Sequence, residues 1–166
     1  MATNAVAVSM DEYLRTSYEY DPDWVDGEIV ERSVPTRSHS RAELRIVHRF
    51  ATTEAEARLF ASPNQRIRVS PDIWRVPDIS VFADEEPEGK YPSNIYSTIE
   101  ILSPDDSMAS VYDRLSEYSA MGAQYVWLVD PGHRTVFRYE RGSLVRVDAI
   151  EFPDRGFRLT AQEIFA

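Results

Sequence analysis

The chain has 166 residues, 43% of them hydrophobic and 28% charged, with a formal net charge of −10. This size predicts one domain over residues 1–166, and the composition is that of a soluble globular protein. There is no cysteine, which excludes disulfides and thiolate chemistry, and no apolar run approaches the roughly 18 residues of a membrane span.

The N-terminal "MATNAVAVSMDEYL" lacks a basic region and a long apolar core, so it does not read as a signal peptide, and a cytoplasmic protein is expected. "SMDEYLRTSY" predicts a short helix capped by Ser9, with Glu12 completing a capping-box pattern. "DWVDGEIVERSV" predicts strands turned at Asp26-Gly27. A long helix follows over 36–59, starting near Thr36 or Ser38. Residues 65–84 predict two strands separated by a turn at Pro71-Asp72, and "IYSTIEILS" another. A second long helix spans 105–121 and is closed by Gly122. "QYVWLVD" is a buried strand, "TVFRYERGSLVRVD" a hairpin with Arg141-Gly142 at its tip, and "LTAQEIFA" a closing helix. This order implies a mixed sheet with helices on its faces, an α/β or α+β fold.

Two acids stand inside apolar strands. In "RVPDISVF", Asp78, Ser80 and Phe82 share one face, and Ile79 and Val81 the other; in "TIEIL", Glu100 faces away from Ile99 and Ile101. If the two strands are neighbours, the carboxylates converge and each raises the other's pKa. A hard cation removes that cost, and Mg²⁺ is commonly held by one or two carboxylates together with water and phosphate. Each acid could equally point to solvent from a one-sided sheet.

On the second helix Met108, Val111, Tyr112, Leu115 and Tyr118 form an apolar stripe, with Arg114 at its edge, where its stem can cover apolar surface while the guanidinium faces a site. On the first, Leu44, Ile46, Val47, Phe50 and Ala51 define an apolar arc that contains Glu43. Arg41, Arg45 and Arg49 form a basic stripe beside it, whose mutual repulsion a phosphate or an acidic partner would offset. The net charge argues against a nucleic-acid partner, but nine arginines face only four acids between Arg32 and Arg75. His39, His48 and His133 have no metal-ligand spacing, and no phosphate-cradling glycine loop or nucleophile elbow is present.

At these residues the chain resembles the bacterial Uma-type restriction endonuclease family of the PD-(D/E)XK nuclease superfamily. The resemblance runs through "DEYL", "VDGEIVE", His39, "RVPDISVF", "IEILSP", Leu115, Tyr118, "YVWLVDP" and the final "EIF". It implies a restriction-endonuclease-like core in the order α-β-β-β-α-β. It also implies a Mg²⁺ (or Mn²⁺) site made by Asp78 and Glu100, with Glu43, or in second place Glu28, as a further acid, and nucleic acid, DNA first, as substrate. The superfamily's lysine would fall at Leu102, or at Arg114 in this family's arrangement; the chain's only lysine is Lys90, in an acidic loop. Arginine holds phosphate but cannot act as a base. Two functions follow: a metal-dependent nuclease using Asp78, Glu100, Arg114 and Glu43, with Arg41, Arg45 and Arg49 on the nucleic-acid backbone; or a weak or inactive nuclease-fold module with a binding or regulatory role. The hairpin residues Val136, Phe137, Tyr139, Leu144 and Val145 suggest a homodimer edge.

Overall fold

A computed structural model describes residues 6–166; residues 1–5 of the N-terminal stretch lie outside the described residues. Strand β1 (Val6–Ala7) precedes helix α1 (Met10–Arg15), which Ser9 caps by accepting the Glu12 amide. β2 (Asp23–Val25) and β3 (Glu28–Val30) form the expected hairpin, with positive φ at Asp26 (50°) and Gly27 (88°), the twist a two-residue turn requires. Helix α2 (Arg37–Ala57) starts at Thr36, whose hydroxyl accepts the His39 amide.

The sequence predicts that this helix reaches residue 59. It stops instead at Arg58, which adopts the left-handed conformation, and Leu59 opens β4 (Leu59–Pro63). A second correction follows. Residues 65–84 hold three strands, β5 (Ile67–Ser70), β6 (Ile73–Arg75) and β7 (Ile79–Ala83). Pro77 cannot donate to a ladder, and the chain changes sheets between Arg75 and Ile79. Then come β8 (Ser97–Ile101), helix α3 (Met108–Ala120) and β9 (Tyr125–Asp130), with Gly122 at φ 107° just past the helix. β10 (Thr135–Glu140) and β11 (Ser143–Val147) make the predicted hairpin. Before the closing helix α4 (Ala161–Ile164) lies a further hairpin of β12 (Ala149–Phe152) and β13 (Phe157–Thr160), which the sequence did not predict.

The main sheet has the order β11-β10-β9-β8-β7-β4. Among the described residues only β8 and β9 pair in parallel, and α3 is their crossover. The expected core order thus appears as α2-β4-β7-β8-α3-β9, with β5 and β6 diverted into a second sheet, β1-β3-β2-β6-β5. Strand alternation divides the core. Ile79, Val81, Ile99 and Ile101 pack with Ala42, Ile46 and Phe50 of α2 and with the β12-β13 hairpin. Phe82, Val126 and Leu128 pack with Val111, Leu115 and Tyr118 of α3. Leu44 and Ala51 of the predicted α2 arc are exposed, as are Met108 and Tyr112 of the α3 stripe, because each helix buries a narrower strip than its apolar residues span.

Arg75, at the end of β6, clips the small sheet to α3. Its guanidinium donates to Asp23 Oδ2 at 3.0 Å and to both oxygens of Glu117 at 2.7 and 2.8 Å, while Asp23 Oδ1 accepts the Val76 amide. Removing one member of a buried ion-pair network leaves its partners uncompensated. Arg75→Ala is therefore expected to destabilise the protein by about 3–5 kcal/mol in denaturant unfolding; a change below about 1 kcal/mol would mean that the clip contributes nothing net.

Candidate functional site

Register brings the two acids together. β7 and β8 are antiparallel with Ile79 opposite Ile99, so the next position sets Asp78 opposite Glu100. Both point to the α3 side, since their neighbours Ile79, Ile99 and Ile101 fill the α2 side. Both are buried, at 5% exposure each. Asp78 Oδ2 accepts the Ile101 amide at 2.7 Å, which ties the end of one strand to the other.

Four side chains surround the pair. Arg32 Nη2 donates to Asp78 Oδ1 at 2.8 Å, and His39 Nε2 lies 3.3 Å from Asp78 Oδ2. The Tyr118 hydroxyl donates to Glu100 Oε1 at 2.7 Å, and Arg114 Nε lies 3.7 Å from the same oxygen. The Arg114 head is steadied by Ser110, whose Oγ accepts from Nη1 at 3.0 Å. Arg32, His39, Arg114 and the two acids line a cavity of about 210 Å³ together with Ser103 and Asp106.

The electrostatics separate the acids. Burial pushes Glu100 up to about 7, against the nearby charge of Arg114 and with the negative charge of Asp78 adding to the rise. Burial acts the same way on Asp78, but the His39 hydrogen bond and the Arg32 charge outweigh it and hold this carboxyl below its ordinary value. For His39 the bond to Asp78 likewise overcomes burial and raises the ring's pKa. One acid is thus ionised and paired, and the other is poised near neutrality.

Glu43 stands on the opposite side of Asp78. Its Oε1 accepts from Asn64 Nδ2 at 2.9 Å, and burial, followed by the Asp78 charge, raises its pKa. It shares with Asp78, Arg32, His39 and Tyr20 an adjoining hollow of about 330 Å³. Glu28 is exposed on β3 and lines neither space.

The basic stripe requires a correction. Arg45 Nη1 donates to the Ile164 carbonyl at 3.1 Å; Arg49 donates to the Arg158 carbonyl at 2.8 Å and pairs with Glu163 at 3.1 Å. These two arginines fasten β13 and α4 onto α2, and the acidic partner that offsets their repulsion is internal. Arg41 is exposed on the same side, and none of the three lines either hollow at the acid pair. Conversely, sequence reading gave no site role to Arg32, Asn64, Asp106 or the Tyr118 hydroxyl. Arg32 lies in an irregular stretch where no periodicity fixes a direction, and Tyr118 reads as a core aromatic.

The donor set suits a small hard cation. Among the described residues no group of three or more histidines and acids is arranged to hold a metal. Two facing carboxylates are nonetheless a usual protein contribution to a Mg²⁺ site, and neutralising charge is what the raised pKa of Glu100 calls for. Asp78 and Glu100 would hold the ion, with Arg32 as the competing cation on Asp78.

The mixed sheet flanked by helices has a counterpart among solved structures. The fold is similar to that of a "putative nuclease belonging to DUF820" from Anabaena variabilis, with a TM-score of 0.80 and 26% identity over 95% of this chain and 97% of that one. The chain belongs to the Uma2 family, described as "Putative restriction endonuclease", whose model matches residues 10–165. Among curated proteins none matches. No helix among the described residues is long and apolar enough to cross a membrane.

Proposed function

We propose that this protein is a divalent-cation-dependent nuclease that hydrolyses phosphodiester bonds in nucleic acid, with DNA the first substrate to test. The observation that carries the reading is the buried, directly opposed pair Asp78 and Glu100 in a chain of this family. Mg²⁺ or Mn²⁺ held there would supply charge neutralisation at the scissile phosphate and a lowered pKa for an attacking water. Arg114 stays protonated, because the Glu100 charge outweighs its burial, so it holds an anion and does not remove a proton. Glu43, with its raised pKa beside Asp78, is the carboxyl suited to carry a proton.

Plasmid and single-stranded DNA incubated with Mn²⁺ test the reading. Cleavage is expected to need the cation, to stop with chelator, and to persist at least in part in Arg114→Lys. Cleavage unaffected by chelator would contradict it. A second reading, a nuclease-fold binding module, is favoured by the arginines already beside both acids. It predicts DNA binding with no cleavage under any divalent cation.

A homodimer belongs to the same proposal. β11 is an open edge of the main sheet and Val145 on it is 46% exposed, so a second copy could add there. Light scattering after size exclusion is expected to give a dimer mass, and a monomer at high micromolar concentration would remove this part.

A further inference from the structure

We propose that Arg32 is the resident counter-ion of Asp78, and that a divalent cation and a substrate phosphate enter the site cooperatively by dividing this ion pair between them. The inference rests on the metal-dependent reading above and deepens it.

The geometry makes Arg32 and the cation rivals. Asp78 Oδ1 is taken by Arg32 at 2.8 Å, and Oδ2 by the Ile101 amide at 2.7 Å with His39 at 3.3 Å. The amide belongs to the sheet and cannot leave. Arg32 can. It lies in the irregular segment between β3 and α2, outside any helix or strand. Its other side-chain partner is Asn64 Oδ1, at 3.3 and 3.4 Å, which are long contacts. The side chain is 22% exposed and lines both hollows, so space is open on either side of its head.

A divalent ion and a guanidinium on one buried carboxylate repel each other, so an ion that binds Asp78 must release Arg32. The released head remains in a half-buried place next to the acid pair and lacks its anion. A phosphate supplies one, and guanidinium binds phosphate bidentately. Arg114 is not in the same position: it stands 3.7 Å from Glu100 and already has Ser110 as a partner. The ion therefore frees a phosphate ligand, and by reciprocity phosphate must tighten the ion by the same factor.

The test is calorimetric titration of Mg²⁺ into the full chain, with and without a thymidine dinucleotide whose phosphorothioate linkage resists hydrolysis. In wild type the dinucleotide is expected to tighten Mg²⁺ about tenfold, within the range usual for coupled sites. Arg32→Gln is expected to bind Mg²⁺ more tightly than wild type when no dinucleotide is present, and to lose most of the coupling. Arg32→Lys, which keeps the charge, should retain part of the coupling. Ser33→Ala, which removes only the neighbouring bond to Asp106, should leave it intact.

Contact between metal and phosphate alone would leave the coupling unchanged in Arg32→Gln, and that result, or equal Mg²⁺ affinity in Arg32→Gln and wild type, overturns the proposal while the metal site stands. Absence of coupling in wild type overturns it without any variant. If neither wild type nor Arg32→Gln binds Mg²⁺, the metal-dependent reading falls as well.

Discussion

Asp78→Ala is expected to destabilise the fold by about 3–5 kcal/mol, whereas Glu100→Gln is expected to stabilise it above pH 7. The two acids face each other, yet they stand in opposite electrostatic states. Asp78 is buried and ionised, and it compensates Arg32 and His39. Its removal leaves the Arg32 guanidinium without its anion and His39 without its hydrogen-bond partner. Because its pKa is lower in the folded than in the unfolded chain, its stabilising contribution is present above the ordinary carboxylate range and is lost as pH falls through the folded value.

Glu100 behaves in reverse. Its folded pKa of about 7 lies above the ordinary 4.5, so the folded state holds the extra proton between those values. Stability therefore declines as pH rises through that window. The loss is complete above pH 7 and is on the order of 3 kcal/mol at 1.36 kcal/mol per pKa unit. Glutamine keeps the shape and carries no charge, so the variant escapes the loss. Urea unfolding at pH 5 and pH 8 checks both variants. Glu100→Gln should match wild type at pH 5 and exceed it at pH 8; a variant less stable than wild type at pH 8 would show that the Tyr118 and Arg114 contacts outweigh the burial of the charge.

The second large effect is on cleavage. Glu100→Gln should lower Mn²⁺-dependent DNA hydrolysis by about a thousandfold or more, since a catalytic cation contributes several kcal/mol at the transition state and each 1.36 kcal/mol is a factor of ten. The stability prediction makes this informative: a variant that is at least as stable as wild type and inactive has lost chemistry and not folding. Arg114→Met should lose about a hundredfold, the scale of one removed charge-stabilising donor. Arg114→Lys should lose less. Cleavage that survives Glu100→Gln undiminished would come from another site or another protein.

Much of the local architecture was readable from residue chemistry. Ser9, Thr36, Asp26-Gly27, Arg141-Gly142 and Gly122 act as caps and turns for reasons internal to a few residues. The opposition of Asp78 and Glu100 followed from alternation once β7 and β8 were neighbours. What could not be read depends on distant partners. Leu59 reads as the end of the helix and residues 60–63 carry no strand pattern of their own; pairing with β7 makes the segment a strand. Val76–Asp78 looked like the inside of a strand, but it is the passage between two sheets. The Arg45 and Arg49 stripe reads as a surface awaiting an anion because nothing local shows that the β12-β13 hairpin and the closing helix α4 fold back onto it. Arg32 reaches Asp78 across 46 residues from a segment with no periodicity, and no local pattern encodes that reach.

Everything proposed for this site depends on Asp78 and Glu100 holding one divalent cation between them. Calorimetric titration of Mg²⁺ into wild type, Asp78→Asn and Glu100→Gln tests it most directly. Wild type is expected to bind one ion per chain saturably, and both variants are expected to lose that binding. Absence of binding by wild type, or binding retained in both variants, would contradict it.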